Sequence, residues 1–230
     1  MYVRCNRRRL HLGGTKFPDD RLSCGAMGST YQTLLVAADF DATVDALCDA
    51  GVVGVVVPLA EHRVAVLPKE SEWDQAPVRS IGEGLSVSLS CPALAMSVFD
   101  SDLLCCYVIR DGGIVHTYIN DVEMTVEWVP EEDGQFHPMI DGVVHSVDFK
   151  IPKGPAGDDP AAFASFAVGV PDLNAIAAAL RNEGTSAHVM AEVQHEELLA
   201  ALGLPSRALT TAYRHCEPAV FPDAIVLELE

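Results

Sequence analysis

LLCCYVIRDGGIVHTYI, residues Leu103 to Ile119, sets two runs of β-branched and aromatic residues on either side of Asp111-Gly112-Gly113. Glycines at that position supply the positive φ of a tight turn, so the stretch predicts a β-hairpin. A hairpin commits this part of the chain to antiparallel sheet. Downstream, Val122, Met124, Val126 and Trp128 alternate with Glu123, Thr125 and Glu127, which predicts a strand with one buried face and one acidic face in water. Val143 to Ile151 alternates similarly, and the expectation is an antiparallel meander that extends the sheet.

Upstream, Tyr31 to Ala38 is a short β-type apolar run, and Val44, Leu47 and Cys48 follow at helical spacing as far as Gly51. Val52 to Leu59 and Arg63 to Leu67 are two further strands separated by Ala60-Glu61-His62, a hairpin distance. Ile81, Leu85 and Leu89 recur every four residues and predict a second helix that ends at Cys91-Pro92, before a strand over Ala93 to Phe99. The order up to Asp100 is therefore βαββαβ, which resembles the split arrangement of ferredoxin-like folds. The fold class read from the sequence is α+β, with this ferredoxin-like start, the meander, and a mainly helical C-terminal segment.

Pro152 to Pro160 holds three prolines, two glycines and two aspartates and reads as a linker. Beyond it, Leu173, Ile176, Ala177 and Leu180 form one helical stripe closing at Gly184. Leu198, Leu199 and Leu202 form another, closing at Gly203. Ile225, Leu227 and Leu229 alternate as a final strand. The expected organisation is a basic extension over 1–27, disordered or upstream of a true start at Met27, then an α+β sheet region over 28–151. A helical region with a final strand follows over 152–230, packed on the same core.

Charge narrows the function. The first 26 residues carry six Arg or Lys against two Asp, leaving nine basic against 31 acidic side chains in the remainder, a net charge of −22. Such a body repels phosphate backbones and anionic lipid heads, so neither nucleic acid nor a membrane surface is an expected partner. No apolar run reaches the roughly 18 residues that span a bilayer. Seven irregularly spaced cysteines, mostly within apolar segments, favour reduced thiols over a disulfide framework and a cytoplasmic setting. The 11 Arg against four Lys, with abundant Ala, Val, Asp and Gly, follow GC-rich codon usage and suggest a bacterial source.

Asp39-Phe40-Asp41-Ala42-Thr43 directly follows the apolar run Leu34 to Ala38. It resembles the DxDx(T/V) signature of haloacid dehalogenase-type phosphohydrolases over about ten residues. The resemblance implies that Asp39 attacks phosphorus, Asp41 acts as acid and base, and Mg²⁺ lies between them. Lys150, Lys153, Asp158 and Asp159 are the residues available for the rest of that site. The reading preferred from the residues alone is that Asp39 or Asp41 caps the helix beginning near Ala42.

Other constellations are weaker. His188, Glu192, His195 and Glu196 could place Glu192 and His195 on one helix face toward a metal, but no second such pair accompanies them, and a hydrogen-bonded boundary histidine is preferred. Asp100-Ser101-Asp102 is similar to the DxD pair of many glycosyltransferases, yet its place between two strands suits a turn. Cys105 and Cys106 are adjacent on a strand and must face opposite ways. A Cys-His pair would have to join Cys91 or Cys216 with His116 or His145, which spacing does not select. No cofactor or metal is expected, and no catalytic residue is assigned. The sequence reads as a non-catalytic acidic binding protein with a basic protein partner, and a Mg²⁺-dependent phosphohydrolase using Asp39 and Asp41 is the alternative.

Overall fold

The computed structural model describes residues 5–9, 28–71, 75–132, 134–140, 142–183 and 190–229. In chain order the first elements are β1 (Cys5–Arg9), β2 (Tyr31–Val36), α1 (Phe40–Asp49), β3 (Gly54–Ala60) and β4 (Arg63–Pro68). They are followed by α2 (Val78–Ser88), β5 (Ala93–Phe99), β6 (Leu103–Arg110) and β7 (Gly113–Ile119). Next come β8 (Glu127–Pro130), β9 (Phe136–Ile140) and β10 (Val143–Val144), then α3 (Pro160–Phe163), α4 (Leu173–Leu180), α5 (Ala191–Ala201) and β11 (Ile225–Leu229).

Eight strands form one sheet in the order β1-β11-β3-β4-β2-β5-β6-β7, and every neighbouring pair is antiparallel. Side chains of a strand alternate between faces, and here both faces are covered. Leu34, Val36, Val56, Val66 and Ile109 pack with Val44 and Leu47 of α1 and Leu85 of α2. Tyr31, Leu35, Val57, Leu94, Met96 and Tyr118 pack on the other face with Phe163, Ile176, Leu198 and Leu199 from α3 to α5. Burial on both sides is why the central strands read as unbroken apolar runs. The core under α3 to α5 thus draws on residues both before and after the Pro152 to Pro160 stretch.

The hairpin of the opening stretch forms as the glycines require. Asp111 and Gly112 take φ of 49° and 79°, and Arg110 pairs with Gly113. Both central residues in the left-handed region define the type I′ turn that matches strand twist.

The expected meander stops at β7. Val122 to Thr125 is a single 3-10 turn, not a strand, because Asp121 Oδ1 accepts from the amides of Glu123 at 3.1 Å and Gly154 at 3.0 Å. The open edge of β7 is then taken by the Pro152 to Pro160 stretch, where Ile119 and Ala156 exchange backbone bonds of 3.0 and 2.9 Å. With that edge occupied, β8, β9 and β10 cannot join and form a separate three-stranded sheet. Of the strand expected over Val143 to Ile151, only Val143–Val144 pairs.

The C-terminal part is helical only in part, since α3, α4 and α5 are joined by loops and 3-10 turns. Asp159 and Asp172 cap α3 and α4 by accepting from first-turn amides. After α5, Gly203 at φ 71° lets the Leu204 amide reach the Leu199 carbonyl at 2.9 Å, closing the helix. Gly184 lies outside the described residues. Of the basic extension, Cys5–Arg9 pair with β11, and residues 1–4 and 10–27 lie outside the described residues. Among the described residues no helix is long and apolar enough to cross a membrane.

Candidate functional site

The Asp39 motif is a helix start. Asp39 sits in extended backbone, its Oδ1 accepts from the Ala42 amide at 3.0 Å, and the Thr43 hydroxyl donates to its carbonyl at 2.7 Å. Asp41 is exposed in the first turn of α1, where its charge meets the positive end of the helix dipole. Three of the remaining residues of the phosphohydrolase set, Asp158, Asp159 and Lys153, are engaged elsewhere. Asp158 accepts from Arg181 at 2.6 Å, and that hydrogen bond holds its carboxyl below the usual range. Asp159 caps α3, and Lys153 pairs with Glu123 at 3.3 Å. Because α1 and α3 lie on opposite faces of the sheet, the structure does not bring Asp39 and Asp41 together with Asp158 and Asp159. Among the described residues, no three of His, Cys, Asp and Glu gather around one metal-sized position.

His195 and Glu192 also part company. His195 is fully buried, with Nδ1 3.0 Å from the Tyr31 hydroxyl and Nε2 3.0 Å from Met96 Sδ. Loss of water lowers its pKa to about 3, so the imidazole is neutral. Burial raises the Tyr31 phenol in turn. Glu192 instead accepts from the Ser101 hydroxyl at 2.9 Å, Glu196 is exposed, and His188 lies outside the described residues. Asp100-Ser101-Asp102 is a turn in which Asp100 and Ser101 have φ of 50° and 63° and the Asp102 amide closes on Phe99. Ser101 ties this turn to Ser29 and, through its carbonyl, to the start of α5 at Ala191.

Cys91, Cys105, Cys106 and Cys216 are packing residues. Cys106 lies in the core under α3 to α5, whereas Cys105 pairs across β5 with Ser97 on the opposite face, and burial raises both thiols. Cys91 belongs to the α1 and α2 side and Cys216 to the α3 to α5 side. Burial raises the Cys91 thiol and pushes Cys216 up to about 11. His116 meets the Gly157 carbonyl at 2.7 Å, and His145 stacks on Phe149. Neither histidine partners a cysteine in these contacts.

The feature that stands apart is the small sheet. Trp128 pairs with Pro138, Pro130 with Phe136, and Val143 with Ile140. Cross-strand partners share a face, and so do residues two apart on a strand. These six apolar side chains therefore share one face, on which Pro138 is buried, Ile140 is half-buried, and Trp128, Pro130, Phe136 and Val143 are exposed. Trp128, Phe136 and Val143 on it are 54%, 61% and 56% exposed. Large apolar side chains exposed together on one face mark interaction sites.

Sequence reading expected the Trp128 face to be buried and missed this arrangement. The signal lay in Pro130 and Pro138, because proline withholds a ladder donor and belongs to edges and short sheets. The segment that carries this face is predominantly acidic. Asp121 to Lys150 hold eight acidic residues, and Lys150 is the single basic residue apart from histidine. Comparisons with protein-family models, curated proteins and solved structures returned no match.

Proposed function

We propose that this chain is a non-catalytic binding protein that receives a basic, amphipathic segment of another protein on the apolar face of β8, β9 and β10. The observation that carries the reading is the exposed apolar set Trp128, Pro130, Phe136 and Val143 on one face of the small sheet, in a segment of sequence that holds eight carboxylates. Apolar contact supplies attraction at short range, and the carboxylates steer a basic partner and repel acidic ones. A second copy of this chain is a poor occupant, because each copy carries a net charge of −18. Trp128 and Phe136 are the side chains expected to contribute most, since aromatic anchors dominate such interfaces.

We also read β2 to β5 with α1 and α2 as a ferredoxin-like unit. The strand order β3-β4-β2-β5, with both helices on one face, supports this. A cytoplasmic setting is supported by the free thiols of Cys48, Cys91, Cys105, Cys106 and Cys216.

Affinity capture from the cell's own lysate with the native chain and with Trp128→Ser/Phe136→Ser tests the function. The expected result is a basic protein retained by the native chain at low salt, released at high salt and absent with the double variant. Identical captured sets from the two chains would refute the reading.

A further inference from the structure

A second, unrelated feature lies on the main sheet, on the face covered by α1 and α2. A cleft of about 640 Å³ opens beside the start of α2, and Gln32, Ser97, Phe99 and Tyr107 are among the sheet residues that line it. Further up the same face the cross-strand neighbours are Leu34, Ala95 and Tyr107, then Val36, Ala93 and Ile109. At the cleft the row changes to Gln32, Ser97 and Cys105, each no more than 5% exposed, of which Gln32 and Ser97 are polar and line the cleft. A buried polar pair at one end of an aliphatic sheet face is costly unless something uses its hydrogen bonds.

Gln32 is the telling member. It is 4% exposed, and its Oε1 accepts from the Ala76 amide at 3.0 Å. Its Nε2 is buried and has no partner. A buried amide donor left unmade costs about 1–3 kcal/mol, which an acceptor arriving in the cleft would recover. The helix wall offers donors of the same kind. The start of α2 at Pro77 has no side-chain cap and no acidic residue in its first turn; the Val78 amide donates to the Ala76 carbonyl at 2.8 Å, which leaves those of Arg79 and Ser80 for an outside acceptor. Arg79 lies on this wall with its guanidinium 5.1 Å above the Tyr107 ring, and it forms no ion pair among the described residues.

We propose that this cleft binds a small organic monocarboxylate. The carboxylate is received by Arg79, the Gln32 amide and the start of α2, and its apolar body rests on Phe99, Tyr107 and Ile114. A single negative charge is assigned because Arg79 is the one cation among the described residues that line the cleft, and with Glu83 beside it a second negative charge on the ligand would meet no cation. A dianion would face an uncompensated charge in so acidic a chain. This site is independent of the small sheet, and its outcome leaves the protein-binding reading untouched.

Calorimetric titration of the full chain with phenylacetate, its uncharged match phenylacetamide, and phenyl phosphate tests the proposal. Saturable binding of phenylacetate is expected, weakened about tenfold or more in phenylacetamide, in Arg79→Gln and in Gln32→Glu. Arg79 is exposed, so Arg79→Gln should keep the native circular dichroism spectrum and remain interpretable even if Gln32→Glu unfolds. The proposal is overturned by absence of saturable binding at millimolar phenylacetate, by equal binding of the amide, or by unchanged affinity in Arg79→Gln. Tighter binding of phenyl phosphate than of phenylacetate would overturn the monoanion assignment.

Discussion

Burying His195 between Tyr31 and Met96 removes the water that would solvate an imidazolium, and its pKa falls to about 3. In the unfolded chain the same group titrates near its ordinary 6.5. Below that value the unfolded state binds a proton that the folded state refuses, so stability falls as pH drops from 6.5 toward 3. Between pH 7 and pH 5 this single group should cost about 2 kcal/mol. Urea unfolding should show the native chain losing that much more than His195→Gln over the same interval. Asp39 gives a second prediction. As a cap, Asp39→Ala should cost about 1 kcal/mol and Asp39→Asn almost nothing, because asparagine caps as well as aspartate. Asp39 was legible as a cap in the sequence because its acceptor role is local, three residues from its donor. The burial of His195 and the free amide of Gln32 were not legible. Their partners come from strands and loops 44 to 164 residues away.

At the scale of elements, local signals held where the backbone itself carried them. Asp111-Gly112 specifies its turn by conformation alone, and the four-residue recurrence of Ile81 and Leu85 marks α2. Alternation failed over Val122 to Val126 because it records which face is apolar, not whether a neighbouring edge is free. Here the Asp121 carboxylate and the docking of Ala156 decided. The stretch read as a linker is accordingly an edge cover. Gly157 has φ of 72°, and a Cβ there would run into the Thr117 carbonyl oxygen. Gly157→Ala is expected to destabilise by about 2 kcal/mol or more, read from the thermal midpoint. A free linker would tolerate it.

Arg63 provides the reciprocal clamp from β4. Its guanidinium donates to the carbonyls of Phe166 at 2.8 Å, Ser165 at 3.0 Å and Ala167 at 2.8 Å, tying the end of the α3 turn to the sheet. Arg63→Ala should cost about 2 to 3 kcal/mol and Arg63→Lys most of that, since an ammonium cannot span three carbonyls in this geometry.

On the scale of the whole molecule, an antiparallel sheet covered on both faces leaves β8, β9 and β10 outside the main packing. Composition announced the acidic exterior from the outset. It could not place the apolar face within it, because that placement depends on which sheet the strands join. The claim that this face receives a basic partner has a direct physical readout in the accessibility of its aromatic rings. Hydroxyl-radical footprinting of Trp128 and Phe136 should show both oxidised readily in the isolated chain and protected in the cell's own lysate at low salt, with protection lost at high salt. Oxidation of these two rings at the same rate with and without lysate, at every salt concentration, would contradict it.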